Sequence, residues 1–226
     1  LWGTDINNVA TFDNIPDAIY IAKKQETLNT TDAQSDNKTD TLSKQLFATI
    51  NAIKASGTMT PEDSYKEIAD SVAQYVTDSK DDNTRSITKS AITVLPDSSA
   101  NKKAYITSLG NLSETFFGKN AAIGGETSIL YYALVNEDPS HLPDLTPIIA
   151  SYDALAKKLT TIKVPAAAAA DHVLLVNTVY QISTSLTDMQ SLFNDTVVGI
   201  RGIVEYNKSI TDLDGIIGRL QTYASN

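Results

Sequence analysis

The 226-residue chain is 42% hydrophobic and 20% charged, which is typical of a globular protein long enough to bury a core. Its net charge of −9 argues against binding a nucleic-acid backbone or docking on an anionic lipid surface, because both need clustered Lys and Arg. Cysteine is absent, so disulfides, thiolate catalysis and cysteine zinc sites are excluded.

Neither an apolar run long enough to span a bilayer nor a signal peptide is recognisable in the sequence. Any membrane anchor is therefore expected in a segment absent from this sequence. At the start of the chain, Asn, Asp, Thr and Gly are frequent, which predicts an irregular N-terminal segment over residues 1–35. A helical domain is predicted over residues 36–226.

Two helices with recognisable ends open that domain. Apolar residues at helical spacing predict the first from about Thr39 to Ser56, and Gly57 is well placed to end it. The second should begin at Thr60, because a threonine N-cap is followed by proline at the first helical position and by acids in the first turn. Residues 86–96 fit either an extended segment or a weak helix, and we interpret them as an extended crossover.

The middle of the chain predicts three more helices, interrupted by a glycine pair and by a proline-bounded turn. Their expected ranges are Ser99 to Gly118, Glu126 to Val135 and Pro143 to Thr161.

The last third of the chain predicts two long helices. Val164 and Pro165 are expected to open the first, of roughly 29 residues at helical spacing. Asp195 and Thr196 form the N-cap region of the second. Because long helices joined by a short turn pack antiparallel, the sequence predicts an all-α antiparallel bundle with little or no sheet.

The N-terminus carries a resemblance. Leu1-Trp2-Gly3-Thr4-Asp5, followed by Asp13-Asn14-Ile15-Pro16-Asp17, resembles the thrombospondin type-3-like calcium repeats of bacterial surface proteins. Ca²⁺ takes six to eight oxygen ligands, yet Thr11 and Tyr20 stand where the repeat has acids, and Asn14 replaces a glycine. We interpret the segment as a structural remnant that caps the bundle. The alternative is weak calcium binding through Asp5, Asn7, Asp13 and Asp17.

A second resemblance covers the helical domain. Residues 42–63 (LSKQLFATINAIKASGTMTPED), residues 164–189 (VPAAAAADHVLLVNTVYQISTSLTDM) and the start DTVV at 195–198 carry it. They resemble the helical domain of uncharacterised membrane-anchored extracytoplasmic proteins of candidate-phyla bacteria. The resemblance implies a location at the cell surface or in the periplasm, and no specific activity comes with it.

Both histidines are candidate functional residues. His172 lies in the first long C-terminal helix, where positions i+3 and i+4 are Leu175 and Val176 rather than metal ligands, and no nucleophile is nearby. We predict a hydrogen-bonded histidine in the core or at its boundary. His141 lies in the proline-bounded turn and is predicted to be an exposed loop residue.

Two further features have a functional and a structural interpretation. Residues 124–127 (GGET) could form an anion-binding helix N-terminus, but no strand precedes them and no lysine follows, which favours a loop. The pairs Tyr131-Tyr132 and Phe116-Phe117 could line a ligand groove, although core packing is the simpler prediction.

The sequence therefore assigns no catalytic, cofactor-binding or metal-binding residue, and no cofactor. It predicts a non-enzymatic extracytoplasmic helical module with a structural, adhesive or assembly role and a protein partner at the cell envelope. It predicts no contact with nucleic acid, and contact with a membrane only through a segment absent here. The alternative is a ligand-sensing helical bundle of a membrane receptor, because two long terminal helices are typical of such sensors.

Overall fold

The computed structural model describes residues 38–57, 60–76, 85–119 and 125–225, which belong to one compact unit. Within these ranges the chain is mostly helical, and the predicted all-α bundle with two long C-terminal helices is confirmed. The predicted N-terminal segment 1–35 lies outside the described residues, and so do its candidate calcium ligands Asp5, Asn7, Asp13 and Asp17.

Seven α-helices and two short strands make up the described part of the chain. In chain order they are α1 (Lys38–Ser56), α2 (Pro61–Val76), β1 (Thr93–Leu95), α3 (Ser99–Lys119), α4 (Glu126–Val135), α5 (Leu145–Leu159), β2 (Lys163–Pro165), α6 (Ala169–Gln190) and α7 (Thr196–Ser225). Short 3₁₀ helices occur at Lys89–Ala91, Pro139–Asp144 and Ala166–Ala168. None of the helices in these ranges combines the length and apolar composition needed to cross a bilayer.

The helix ends follow the local capping chemistry. Gly57 has a φ of +60°, the left-handed conformation that ends a helix at glycine with least cost. The backbone N–H of Asp63 donates to Thr60 Oγ1 at 3.1 Å, which makes Thr60 the N-cap of α2. Similarly, the N–H of Val198 donates to Asp195 Oδ1 at 3.1 Å at the start of α7. These predicted boundaries are confirmed.

The hairpin of α6 and α7 is the most closely packed part of the fold. A Cβ atom on Gly199 would lie 2.4 Å from Leu192 Cα, and one on Gly202 would lie 2.6 Å from the Ser185 carbonyl oxygen. The two backbones therefore approach at a distance that only glycine permits. An ion pair between Arg201 Nη2 and Asp188 Oδ2, 2.9 Å apart, joins the helices beside this approach.

The predicted start of the first long helix is wrong. Val164 and Pro165 lie in β2, which pairs in parallel with β1 and aligns Val164 with Val94. A residue before proline is disfavoured in helical conformation, and Pro165 itself is extended with ψ 147°. After a 3₁₀ turn at Ala166–Ala168, α6 begins at Ala169 and has 22 residues rather than roughly 29.

The predicted extended crossover is confirmed in β1, although a 3₁₀ turn precedes the strand. Residues 85–97, called the crossover segment below, are fastened to the helices by side chains. The Asn177 side chain accepts the N–H of Ile87 at 2.7 Å and donates to its carbonyl oxygen at 3.1 Å, as a neighbouring strand would. Arg85 pairs with Asp153 at 3.1 Å, and the N–H of Ala167 donates to an Asp97 carboxylate oxygen at 2.9 Å.

The predicted helix from Pro143 to Thr161 is shorter than expected. Its α-helical part, α5, runs from Leu145 to Leu159, and the residues from Pro139 to Asp144 form the 3₁₀ turn before it. All seven helices contribute buried side chains to the core. Its largest fully buried apolar side chains are Tyr105, Ile68, Leu130, Leu145, Ile148, Ile182, Leu186, Met189, Ile200 and Ile203.

Candidate functional site

His172 of α6 is completely buried, which confirms the predicted core histidine. Its Nδ1 lies 3.1 Å from the hydroxyl oxygen of Tyr105 on α3, and its Nε2 lies 3.0 Å from the carbonyl oxygen of Leu159 at the end of α5. One imidazole therefore joins three helices inside the core.

These partners determine where the imidazole proton lies. A carbonyl oxygen can only accept, so Nε2 carries the proton, and Nδ1 accepts from the Tyr105 hydroxyl. Burial lowers the pKa of His172, and the bond to the Leu159 carbonyl opposes this to a smaller degree. The ring is neutral at pH 7 with both nitrogens engaged, an arrangement that suits packing rather than proton transfer or metal ligation.

Side chains near the C-terminal end of α7 cover the contact between His172 and Tyr105. The Tyr223 ring lies 6.4 Å from the Tyr105 ring in an edge arrangement, and Lys102 Nζ lies 5.3 Å from the Tyr223 ring centre. Arg219 donates to Asp171 Oδ1 at 2.6 Å. Burial, followed by Tyr223 and Asp171, raises the pKa of Tyr105, so its hydroxyl stays protonated and can donate to His172.

A buried carboxylate lies in a separate part of the core. Glu126 is 2% exposed and accepts a hydrogen bond of 3.0 Å from the Tyr152 hydroxyl. Burial, followed by the charge of Glu126, raises the pKa of Tyr152. The helix predicted from Glu126 to Val135 is confirmed as α4, so the loop interpretation of residues 124–127 is wrong for Glu126 and Thr127 in its first turn. Gly124 lies outside the described residues. A carboxylate at a helix N-terminus is stabilised by the helix dipole, so this helix end holds the chain's own acid.

His141 lies in a 3₁₀ helix rather than in the predicted loop. Its side chain is 43% exposed, and Nε2 lies 3.9 Å from Asp138 Oδ2. Hydrogen bonds from Ser140, and to a smaller degree the nearby His141, lower the pKa of Asp138. The pair is a contact at the protein surface.

A cleft of about 310 Å³ lies between α3 and α5 and opens to solvent. Among the described residues its lining is mostly apolar, with two hydroxyls and one cation: Leu112, Thr115, Phe116, Ala150, Ser151, Ala154, Leu155 and Lys158. Phe116 is 6% exposed and also contacts the Tyr152 ring, at 5.5 Å between centres. It therefore packs in the core, as predicted, and also lines the cleft.

Sequence analysis did not identify this cleft. The signal available was the spacing of Ala150, Ala154 and Lys158 at four-residue intervals, which puts two small side chains and a cation on one face of α5. That spacing does not indicate which helix lies opposite. The other aromatic pair, Tyr131 and Tyr132, is half-buried, with the two rings 5.5 Å apart, and does not line the cleft.

Within the described residues, no three histidine, aspartate or glutamate side chains come together in a group that could hold a metal ion. Comparison of the chain with known protein families, with curated proteins and with solved structures finds no match. A function for the chain is therefore inferred from its own geometry.

Proposed function

We propose that the chain is a non-enzymatic extracytoplasmic helical module that serves a structural, adhesive or assembly role with a protein partner at the cell envelope. The observation that carries this proposal is that His172 is buried and hydrogen-bonded through both ring nitrogens. It is the buried histidine of the core, and both of its nitrogens are engaged in contacts between helices.

Other polar groups inside the fold have similar roles. The Ser183 hydroxyl donates to Asp153 Oδ1 at 2.7 Å and so links α6 to α5. The ion pair of Arg201 and Asp188, with both side chains less than a fifth exposed, links α7 to α6. Groups of this kind define one packing arrangement, and they support a module whose role depends on shape.

The absence of cysteine makes the cellular location directly testable. Two serines provide a matched pair, because Ser108 is exposed on α3 whereas Ser64 is 0% exposed on α2. The Ser64 hydroxyl has no hydrogen-bond partner among the described residues, so a thiol is expected to replace it with little disturbance. Ser108→Cys and Ser64→Cys would each be introduced into the full protein in the cells that produce it.

In intact cells, a membrane-impermeant maleimide is expected to label Ser108→Cys without lysis. It should label Ser64→Cys only after denaturation, which controls for folding, and the parent protein controls for any cysteine outside these 226 residues. Labelling of Ser108→Cys only after the cells are broken would contradict an extracytoplasmic location.

A ligand-sensing bundle of a membrane receptor is the second candidate, and the cleft between α3 and α5 favours it. Small-molecule sites are commonly concave, mostly apolar and about 300–1,000 Å³ in volume, and this cleft lies at the small end of that range. A sensor would transmit binding through α7, so a ligand that leaves the α6–α7 contacts unchanged would argue against this candidate.

A further inference from the structure

The cleft between α3 and α5 is open because the side chains along one of its walls are small. Ala150 and Ala154 are exposed and lie one turn apart on α5, where each side chain ends at Cβ. The opposite wall, on α3, has larger apolar groups from Leu112 and Phe116. The space is therefore bounded by helical backbone and apolar side chains on both sides, and both helices are fixed elements of the fold.

The polar groups of the cleft are one cation and two hydroxyls, and the hydroxyl of Ser151 donates to the Pro147 carbonyl oxygen at 2.9 Å. Lys158 is the single charged residue among the described lining residues, and its ammonium makes no ion pair with any described residue. Thr115 adds a hydroxyl, which can donate a hydrogen bond. A mostly apolar space with one cation and a donor complements a molecule with an apolar body and one negative charge.

We propose that this cleft binds a small aromatic carboxylate. The ring lies between Leu112, Phe116 and Leu155, where aromatic contact with Phe116 favours a flat molecule over an aliphatic chain. The carboxylate pairs with the Lys158 ammonium, and the volume limits the ligand to about one ring with a short side chain, because larger ligands occupy larger pockets.

A simpler explanation exists for Lys158 alone. It lies in the last turn of α5, where a cation is stabilised by the helix dipole in any protein. Lys157 lies in the same turn and is stabilised by the same helix dipole, but it does not line the cleft. The dipole explains a cation at the helix end, but it does not explain an apolar space beside that cation.

This inference goes beyond the cell-envelope proposal and is tested separately from it. The probe is 3-phenylpropanoate, titrated into the isotope-labelled protein and followed by backbone amide chemical shifts, with 3-phenylpropanol as the uncharged analogue. Saturable shifts are expected in residues 112–116 and 150–158. The acid should bind at least about tenfold more tightly than the alcohol, because a charge-assisted contact is stronger than a neutral one.

Two variants test separately how the apolar body of the ligand and its negative charge contribute to binding. Ala154→Leu fills the cleft and should abolish saturable binding of both compounds. Lys158→Gln keeps the shape and should make the acid bind no more tightly than the alcohol. Ala52→Leu, at an exposed position of α1, is the matched control and should leave both affinities unchanged.

Melting curves confirm that each variant is folded before its titration is interpreted, and Lys158→Gln tests the proposal even where Ala154→Leu does not fold. Three outcomes would overturn the proposal: the absence of saturable shifts with the acid, equal affinity for acid and alcohol in the parent protein, or unchanged acid affinity in Lys158→Gln.

Discussion

The α6–α7 hairpin and α3 are both long helical regions, yet they are held in place differently. Buried residues occur along most of α6 and α7, from Ala169 to Leu220. Among the described side chains of α3, only Tyr105 and Phe116 are buried, one towards each end of the helix. The hairpin therefore depends on continuous close packing. In contrast, α3 has two buried aromatic residues, with the half-buried Ile106, Leu109 and Leu112 packed beside them, and leaves open space between itself and α5.

The largest expected effect tests the close packing of the hairpin. Gly202→Ala puts a Cβ atom 2.6 Å from the Ser185 carbonyl oxygen and 2.8 Å from Met189 N. Backbone atoms cannot move aside cheaply, so a loss of about 3 kcal/mol in the free energy of unfolding is expected. Urea denaturation measures it. Gly218→Ala, on the same helix and with nothing within 4 Å of the new Cβ, is the control. A loss in Gly202→Ala no larger than in that control would contradict close approach.

The next prediction tests the attachment of α3. Tyr105→Phe keeps the ring but removes the donor to His172 Nδ1, and leaves a buried acceptor without a partner. A loss of about 1–3 kcal/mol is expected. Tyr131→Phe, at a half-buried position, should change stability by less than about 0.5 kcal/mol. Similar losses in the two variants would indicate that the Tyr105 hydroxyl adds nothing specific.

Acid should weaken the same attachment. Burial lowers the pKa of His172 in the folded protein, so between its ordinary value of about 6.5 and that lower value the unfolded chain binds a proton that the folded chain does not. Stability should be full above about pH 6.5 and decrease as the pH falls, by at most about 1.4 kcal/mol per pH unit.

Urea denaturation at pH values from about 7.5 to 5 measures this dependence on pH. His172→Ala should cost about 1–3 kcal/mol near neutral pH and flatten the dependence. The carboxyl of Asp138, whose pKa is lowered, contributes only in more acidic solution, below its ordinary value. An unchanged dependence on pH in His172→Ala would assign the effect to another group.

The smallest expected effect has the opposite sign. Gly110 lies in α3 with nothing within 4 Å of an added Cβ atom. Alanine has the higher helix propensity, so Gly110→Ala should stabilise the protein by about 0.5–1 kcal/mol in the same urea experiment. A destabilising Gly110→Ala would mean that this face of α3 is covered. The same substitution would thus have opposite signs at Gly202 and at Gly110.

Local chemistry made much of this fold predictable. Gly57 ends a helix through its own left-handed backbone, and Thr60 and Asp195 begin helices through hydrogen bonds from residues three positions later. A sequence displays such neighbours directly. The strand at Val164 and Pro165 was missed because its partner, β1, is about seventy positions earlier in the chain and the alanines that follow favour a helix.

The candidate site shows the same difference between local features, which the sequence predicts, and contacts between distant residues, which it does not. His172 was expected in the core because its helical neighbours are apolar, but Tyr105, 67 positions away, could not be identified as its partner. The cleft depends on how α3 crosses α5, and side-chain spacing along one helix does not determine that crossing. Pairs of residues distant in sequence account for most of what the sequence did not predict.

The two-strand ladder also affects the order of folding. Its pairing closes a loop that contains α3, α4 and α5, whereas a turn of a few residues connects α6 to α7. Long loops close more slowly and at a greater entropic cost than short ones, so the hairpin should form first. The Asn177 side chain would then already be in place to receive the backbone of Ile87. In pulsed hydrogen exchange during refolding, the Ile87 amide should become protected after the amides of α6, so that the crossover segment is fixed later than the hairpin.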